Sequence, residues 1–192
     1  MTKPRALHRC FGTGDPLMQA YHDDEWGVPV RDDRALFEKL LLDSFQAGLS
    51  WRTILHKRAH FRRAFHAFDP ERIARYTARD RARLLADAGI VRNRLKIDAA
   101  ISNARAYLTL QQDLGSFSEF LWSHTGGGTL RRRAARSWSQ IPTQSPESEG
   151  MSRALLERGF RFVGPTICYA FMQAVGMIDD HLVGCFRYQR RR

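Results

Sequence analysis

Four residues near the two ends of the chain have the types and spacings of a metal site. In the stretch DHLVGC, His181 and Cys185 stand four residues apart, a spacing at which two side chains reach one ion. Near the start, Cys10 and His22 are separated by eleven residues. Together they form a Cys2His2 set, which suits one tetrahedral Zn2+ and leaves no coordination position open to water. Such an ion is structural: it would clip the two ends of the chain together and add order to the fold. The same four residues also read as unrelated, since histidines cap and pack and cysteines are commonly buried. A hydrolytic metal centre needs an open position, which this set denies. Cys168 lies in an apolar stretch and reads as core. Three cysteines without an export signal argue against a disulfide framework.

A second constellation is LLADAGIVRNRLKIDAAI, two helical patterns joined by a tight turn. The turn opens at Gly89 and Ile90, and Arg92, Arg94 and Lys96 lie at the start of the second helix. A helix-hairpin-helix of this kind offers a helix N-terminus and cations to a phosphate, and it reads backbone rather than bases. The alternative is an ordinary helical hairpin with a solvated basic face.

The third constellation is acidic and aromatic. AYHDDEWG places Tyr21 and Trp26 around His22, and LLLDSFQAGLSW sets Asp43 in an apolar run with Trp51 beyond the break at Gly48. A flat cationic ring would find stacking partners in the aromatics and a hydrogen-bond acceptor in the carboxylate. The competing reading is a capping or solvent-facing Asp beside ordinary core aromatics. There is no G-x-S-x-G, no Walker glycine loop and no H-E-x-x-H. His56, His60 and His66 lack ligand-type partners and read as surface residues.

The elements that must position these groups are helical. Asp32 and Asp33 cap a helix through RALFEKLLLDSF, with Leu36, Phe37, Leu40 and Leu41 on one face. A second helix runs from Trp51 to Phe68 and stops at Asp69-Pro70. Short helices follow in PERIARY and ARDRARLLADAG, the latter closed by Gly89 as its C-cap. RNRLKIDAAISNARAYLTLQQDL is a long amphipathic helix with Leu95, Ala99, Ile101, Ala106 and Leu110 on one side. SFSEFLWSH, MSRALLERGF and most of FVGPTICYAFMQAVGMI complete the helices. Residues 125–150 are rich in Gly, Ser, Pro and Arg and carry no clear pattern. No strand pattern or internal repeat is visible, so the fold class is all-α.

The totals are consistent with a soluble helical domain of 192 residues, 43% hydrophobic and 27% charged. No apolar run is long enough for a membrane helix, and MTKPRALHRC has no signal core, which predicts a cytoplasmic protein. The formal charge of +11 suits a polyanionic partner. It is unevenly spread: residues 15–43 carry eight acids and three bases, whereas residues 52–109 carry fourteen bases and five acids. That asymmetry predicts a chain that holds a nucleic-acid backbone in one place and does its chemistry in another. An Arg-rich run closes the chain at 190–192.

In order along the chain, DPLMQAYHDDEWGVPV, FQAGLSW, DAGIVRNRLKI, NARAYL and RFVGPTICYAFMQAVGMIDDHLVGC resemble the bacterial DNA-3-methyladenine glycosylase I family. The resemblance runs from Cys10 to Cys185, with 125–150 loosely matched. It implies a helix-hairpin-helix DNA glycosylase fold with a zinc clasp formed by Cys10, His22, His181 and Cys185. It implies a single domain over 1–192, with one lobe holding the clasp and a central hairpin lobe around 70–115. The expected activity is release of alkylated purines, chiefly 3-methyladenine, from double-stranded DNA, without a lyase step. The expected protein is a monomer associated with the bacterial nucleoid. By this resemblance Asp43, Tyr21 and Trp51 form the catalytic group, Trp26, Phe11, Met18 and Gln46 help bind the base, and Gly89, Ile90, Arg92, Arg94 and Lys96 meet DNA. Three departures cluster on the pocket. Asp43 stands where enterobacterial members have Glu, and Met18 where a Tyr is usual. FGTGDP is one residue shorter and lacks a Trp, for which Phe11 substitutes. These departures leave open a weak or non-catalytic damage-binding relative, or a pocket re-tuned for another alkyl adduct.

Overall fold

A computed structural model describes residues 7–131 and 135–188, so the Arg-rich run at 190–192 lies outside the described residues. The described chain is mostly helical, in agreement with the all-α reading. The helices are α1 (Pro16–Asp24), α2 (Asp33–Gln46), α3 (Trp51–Ala64), α4 (Pro70–Ala74), α5 (Ala78–Ala86), α6 (Arg94–Leu114), α7 (Phe117–Ser123), α8 (Pro146–Glu157) and α9 (Pro165–Ala174). None is long and apolar enough to cross a membrane.

The main core is a cluster threaded by α2 and α6, beside a smaller one of Tyr21, Trp26, Leu55 and Ala174. Leu36, Phe37, Leu40 and Leu41 of α2 are fully buried, and they share the main cluster with Ile97, Ala100, Ile101 and Ala104 of α6 and with Phe171 and Met172 of α9. The i, i+1, i+4, i+5 spacing in α2 makes one wide apolar stripe, which is why a mixed sequence forms a central helix. α4 and α5 lie on α6, α8 lies on α9, and α1 lies on α3.

Local chemistry sets most of the boundaries. Asp32 caps α2 and accepts the Ala35 N–H at 2.8 Å. Asp33, in the first turn of α2, reaches across to cap a second helix. Its carboxylate accepts the N–H groups of Phe117 and Ser118 at 3.0 and 2.7 Å, and also the Ser116 hydroxyl and the Gln111 amide. One carboxylate thus joins the starts of α2 and α7 to the end of α6.

Several expectations need correction. α3 ends at Ala64, because His66, Ala67 and Phe68 turn left-handed with φ of 52°, 52° and 54°. That reversal brings Phe68 parallel to Phe65, at 5.8 Å between ring centroids, and buries both. α5 ends on Asp87 rather than at Gly89, and Gly89 does not have a positive φ. Glycine is required there for space: a Cβ would stand 2.6 Å from His60 Cδ2. Leu95 is 69% exposed and belongs to no core face, since Asn93 caps α6 and the buried stripe begins at Lys96 and Ile97. α8 starts at Pro146, five residues before the sequence pattern, because Ser145 and Ser148 form a reciprocal capping box. One short parallel pairing exists, Leu130 with Ile178 and Arg131 with Asp179. Two residues are too few for an alternating pattern, so no strand was legible.

Asp33→Ala removes four hydrogen bonds to partly buried donors and should lower the unfolding free energy by about 2–3 kcal/mol. Urea denaturation of both proteins checks this, and a loss under about 0.5 kcal/mol counts against the cross-capping role.

Candidate active site and terminal metal centre

α1 supports two sites at once. Asp15 caps it and accepts the N–H groups of Leu17 and Met18 at 3.1 and 3.3 Å. The same carboxylate is held by His56 at 2.9 Å and Arg52 at 2.7 Å on α3, which keep its carboxyl down at about 2. His56 is exposed, as its reading as a surface residue expects, and it also pins α1 to α3. From the other end of α1, Tyr21 faces a pocket while His22 faces the chain termini.

The pocket is a cleft of about 200 Å³ that also brings in α2, α3 and α9. α2 supplies Lys39, Asp43 and Gln46, α9 supplies Ala170, Gln173 and Ala174, and Phe11 and Trp138 close the sides. Gly48, at φ 76°, turns the chain so that Ser50 can cap α3 and Trp51 can begin it. The Trp51 ring packs against Tyr21 at 5.1 Å between centroids. Phe11 meets Trp26 edge-on at 5.2 Å, and Trp26 meets Trp138 at 6.0 Å. A cleft with aromatic walls is the result.

Its polar content is small. Asp43 is 1% exposed, and burial pushes its carboxyl up against the opposing pull of Lys39. Asp43 Oδ1 pairs with the Lys39 ammonium, but Oδ2 is buried with no hydrogen-bond partner. The Trp51 indole N–H is likewise buried and unpartnered. An acceptor and a donor that cost free energy when unsatisfied are what a hydrogen-bonding ligand would relieve. Burial also pushes the Tyr21 phenol well up, which keeps it neutral. The predicted pocket residues Phe11, Met18, Tyr21, Trp26, Asp43, Gln46 and Trp51 thus all line one cleft. Sequence reasoning missed Lys39 and Trp138. The i, i+4 spacing of Lys39 and Asp43 was a usable signal, whereas Trp138 sits in the unpatterned segment.

At the termini, Cys10 Sγ, His22 Nε2 and Cys185 Sγ lie within 4.8 Å of one another, a cluster suited to a metal ion that joins the two ends of the chain. Cys185 Sγ is 3.3 Å from His22 Nε2, and the Leu182 N–H points at Cys10 Sγ from 3.2 Å. His22 Nδ1 is bonded to Asp23 at 2.8 Å, and Arg9 holds that carboxylate in turn. A carboxylate behind the imidazole orients the far nitrogen toward a metal. His181 is backed by a carboxylate of its own, Asp179 at 2.8 Å from Nδ1, and its Nε2 is buried with no hydrogen-bond partner. Its ring is 5.5 Å from that of His22, outside the tight trio but adjacent to it. The orphaned Nε2 is the buried atom that an ion would satisfy, so the fourth predicted ligand fits. Gly27 makes the room: a Cβ there would stand 2.7 Å from His181 Cε1. Burial pushes the Cys10 thiol up to about 12, so a thiolate at that position depends on a cation beside it.

The hairpin residues divide. Arg92 and Arg94 are exposed at the start of α6. The Gly89 and Ile90 N–H groups are already taken by Asp87, at 2.8 and 3.3 Å. Lys96 does not face outward as expected. Its ammonium is buried and donates to the carbonyls of Phe45 and Ala47, closing the C-terminal end of α2 beside the pocket. The cationic offer of this turn is Arg92 and Arg94, the latter with its Nε 3.9 Å from Asp98 Oδ2.

Metal analysis should find one ion per chain, and chelation should lower the melting temperature by several degrees. A metal-free protein with an unchanged melting temperature would contradict the clasp.

Comparison with known proteins places this arrangement. The methyladenine glycosylase family model matches residues 11–188. The chain is 49% identical to DNA-3-methyladenine glycosylase 1 of Escherichia coli (strain K12) over 183 residues, 95% of this chain and 97% of that protein. It superposes on a crystal structure of 3-methyladenine DNA glycosylase I with a TM-score of 0.92 and 51% identity, covering 95% of this chain and 100% of the other. A tyrosine-to-phenylalanine variant of 3-methyladenine DNA glycosylase I, in complex with 3-methyladenine, matches with a TM-score of 0.90 and 39% identity, over 95% and 98% of the two chains. With its fold, its aromatic cleft and its joined termini all accounted for, the chain belongs to the methyladenine glycosylase family.

Proposed function

We propose that this protein is a DNA-3-methyladenine glycosylase I, which hydrolyses the bond between deoxyribose and a methylated adenine in double-stranded DNA. The observation that carries the reading is the buried, unpartnered Asp43 Oδ2 inside an aromatic cleft. An extruded purine enters the cleft against the packed rings of Tyr21 and Trp51, and its exocyclic amine donates to that oxygen. Trp26, Phe11, Met18 and Gln46 complete the walls. Extrusion costs a few kcal/mol, and least for a damaged, poorly stacked base.

Little chemistry is then left to the protein. A purine methylated at N3 carries positive charge, which weakens its bond to C1′. When that bond breaks, the electron pair moves to the ring and cancels its charge, and the sugar is left as an oxocarbenium ion. Water adds to C1′ and loses a proton, which leaves an abasic site and an intact backbone. Water is kept from the base by the apolar walls, and the phenol of Tyr21 stays neutral against the ring. Asp43 is one methylene shorter than Glu, and the base must approach α2 more closely to reach it.

Arg92 and Arg94 hold phosphate near the extruded nucleotide, and Lys96 supports the floor of the pocket through α2. The Cys10, His22, His181 and Cys185 clasp takes Zn2+, whose role is to hold the ends of the fold together. The protein acts as a monomer in the bacterial cytoplasm at the nucleoid, as a single domain with a clasp lobe and a hairpin lobe. A second reading, a pocket re-tuned for a different adduct, has one observation behind it: Asp43 Oδ1 is already paired with Lys39.

The deciding experiment is base release from methylated genomic DNA, read by mass spectrometry. The wild type should release 3-methyladenine, and Asp43→Asn should do so at least about tenfold more slowly while still binding DNA. Wild type that binds DNA and releases no base overturns the reading. In salt titrations of DNA binding, Arg92→Ala and Arg94→Ala should each reduce the salt slope by about 1 without loss of stability. Lys96→Ala should instead lower the melting temperature, because it uncaps α2.

A further inference from the structure

Lys39 stands where the recognition of a cationic ring would take place. It lies on α2, one turn before Asp43, and its ammonium is paired with Asp43 Oδ1. It also sits 3.9 Å from the centroid of the Trp51 ring. It lines the base cleft and the adjoining cleft of about 250 Å³, which share Tyr21, Lys39 and Ala174. The two features that select a positively charged base are a buried negative charge and the face of a large aromatic ring. This chain places its own cation on both.

The consequence is electrostatic. A buried carboxylate without a partner attracts a cationic base strongly and a neutral one hardly at all. Once Lys39 is paired with it, the couple has no net charge, and an entering cation meets a like charge. Of the other charged groups lining the adjoining cleft, Glu25 is paired with Arg58 and Glu38 with Arg62. Burial pushes the Lys39 ammonium down and the Asp43 carboxyl up, so each depends on the other to stay charged. What remains available to a ligand is the unpartnered Asp43 Oδ2 and the indole N–H of Trp51.

We propose that Lys39 is a specificity-determining residue that reverses the charge preference of the base pocket, so that the site holds a neutral methylpurine more tightly than a methylpurinium cation. This rests on the glycosylase reading above. It also deepens that reading. The substrate base is a cation while bonded to C1′ and becomes neutral as the bond breaks. A pocket that prefers the neutral ring therefore binds the departing base better than the attached one, which favours cleavage. The same preference opens the site to adducts that carry no charge.

The test is a binding titration at pH 8 of wild type, Lys39→Met and Lys39→Gln. The probes are 3-methyladenine, neutral at that pH, and 3,9-dimethyladeninium, whose charge is fixed. Tryptophan fluorescence reports occupancy, and circular dichroism checks that each variant is folded. The quantity read is the ratio of the two dissociation constants, so that steric differences between the probes cancel across variants. Wild type should bind the neutral base more tightly, and both variants should shift the ratio toward the cation by about tenfold or more. Lys39→Gln is one methylene shorter but keeps a polar donor on the Asp43 side, whereas Lys39→Met keeps none, so a shift in both variants assigns the effect to charge. A ratio that stays within about twofold of wild type in the folded variants overturns the role of Lys39 while leaving the glycosylase reading intact. Failure of folded wild type to bind either probe overturns both.

Discussion

Much of this molecule depends on a nine-residue helix that would not persist alone. α1 is held at its start by Asp15, between the N–H groups it caps and the Arg52 and His56 side chains of α3. It is held near its end by His22 among Cys10 and Cys185. Between these anchors it presents Met18 and Tyr21 to the cleft. Adjacent residues Tyr21 and His22 thus serve different sites from one short rod. An ion held there, though remote from the cleft, would fix the helix that carries the pocket wall. The same economy shows at Gly27 and Trp138: the first makes room for His181, and the second lines the cleft while its indole donates to the Cys10 carbonyl at 3.1 Å.

The pocket floor is a second constraint, and α2 bears it. A carboxylate at 1% exposure in a helical core is costly without a partner. Lys39 meets that cost from within the same helix, and Lys96 closes the helix end just beyond it. Two lysines that look like surface charges in a basic chain are therefore internal supports of the site. Their stems lie along apolar surface while their ammonium groups find carboxylate or carbonyl oxygens. The strongly basic balance of residues 52–109 overstates the cations offered to a polyanion, since Arg58, Arg62 and Arg81 are also engaged, with Glu25, Glu38 and Asp98.

Much was legible before any tertiary structure. Helix α2 could be read from its apolar stripe and its Asp32 cap, and the break at Gly48 from the need to turn. The pocket aromatics and Asp43 were visible as an unusual carboxylate among rings. Candidate metal ligands at both ends were visible as residue types that share one chemistry. In each case the signal is local or chemical: a periodicity, a cap, or a donor set that few other roles require. The expected C-cap at Gly89 and the core role of Leu95 failed for the opposite reason. Glycine there answers to the approach of His60 on α3, and the start of α6 is turned by Asn93 so that Leu95 faces solvent.

What the residue order made legible by itself is the helical class, the candidate grouping of Asp43 with Tyr21, Trp26 and Trp51, and a candidate set of clasp donors, because these follow from spacing and side-chain chemistry along the chain. Tertiary structure alone decided which distant groups meet. It turned Lys96 inward, set Lys39 against Trp51, brought Trp138 into the cleft and ran Leu130–Arg131 beside Ile178–Asp179. The physical reason is that the partner of a buried polar group is chosen by what the packed core places within about 3 Å of it, and that distance is not written in the order of the residues.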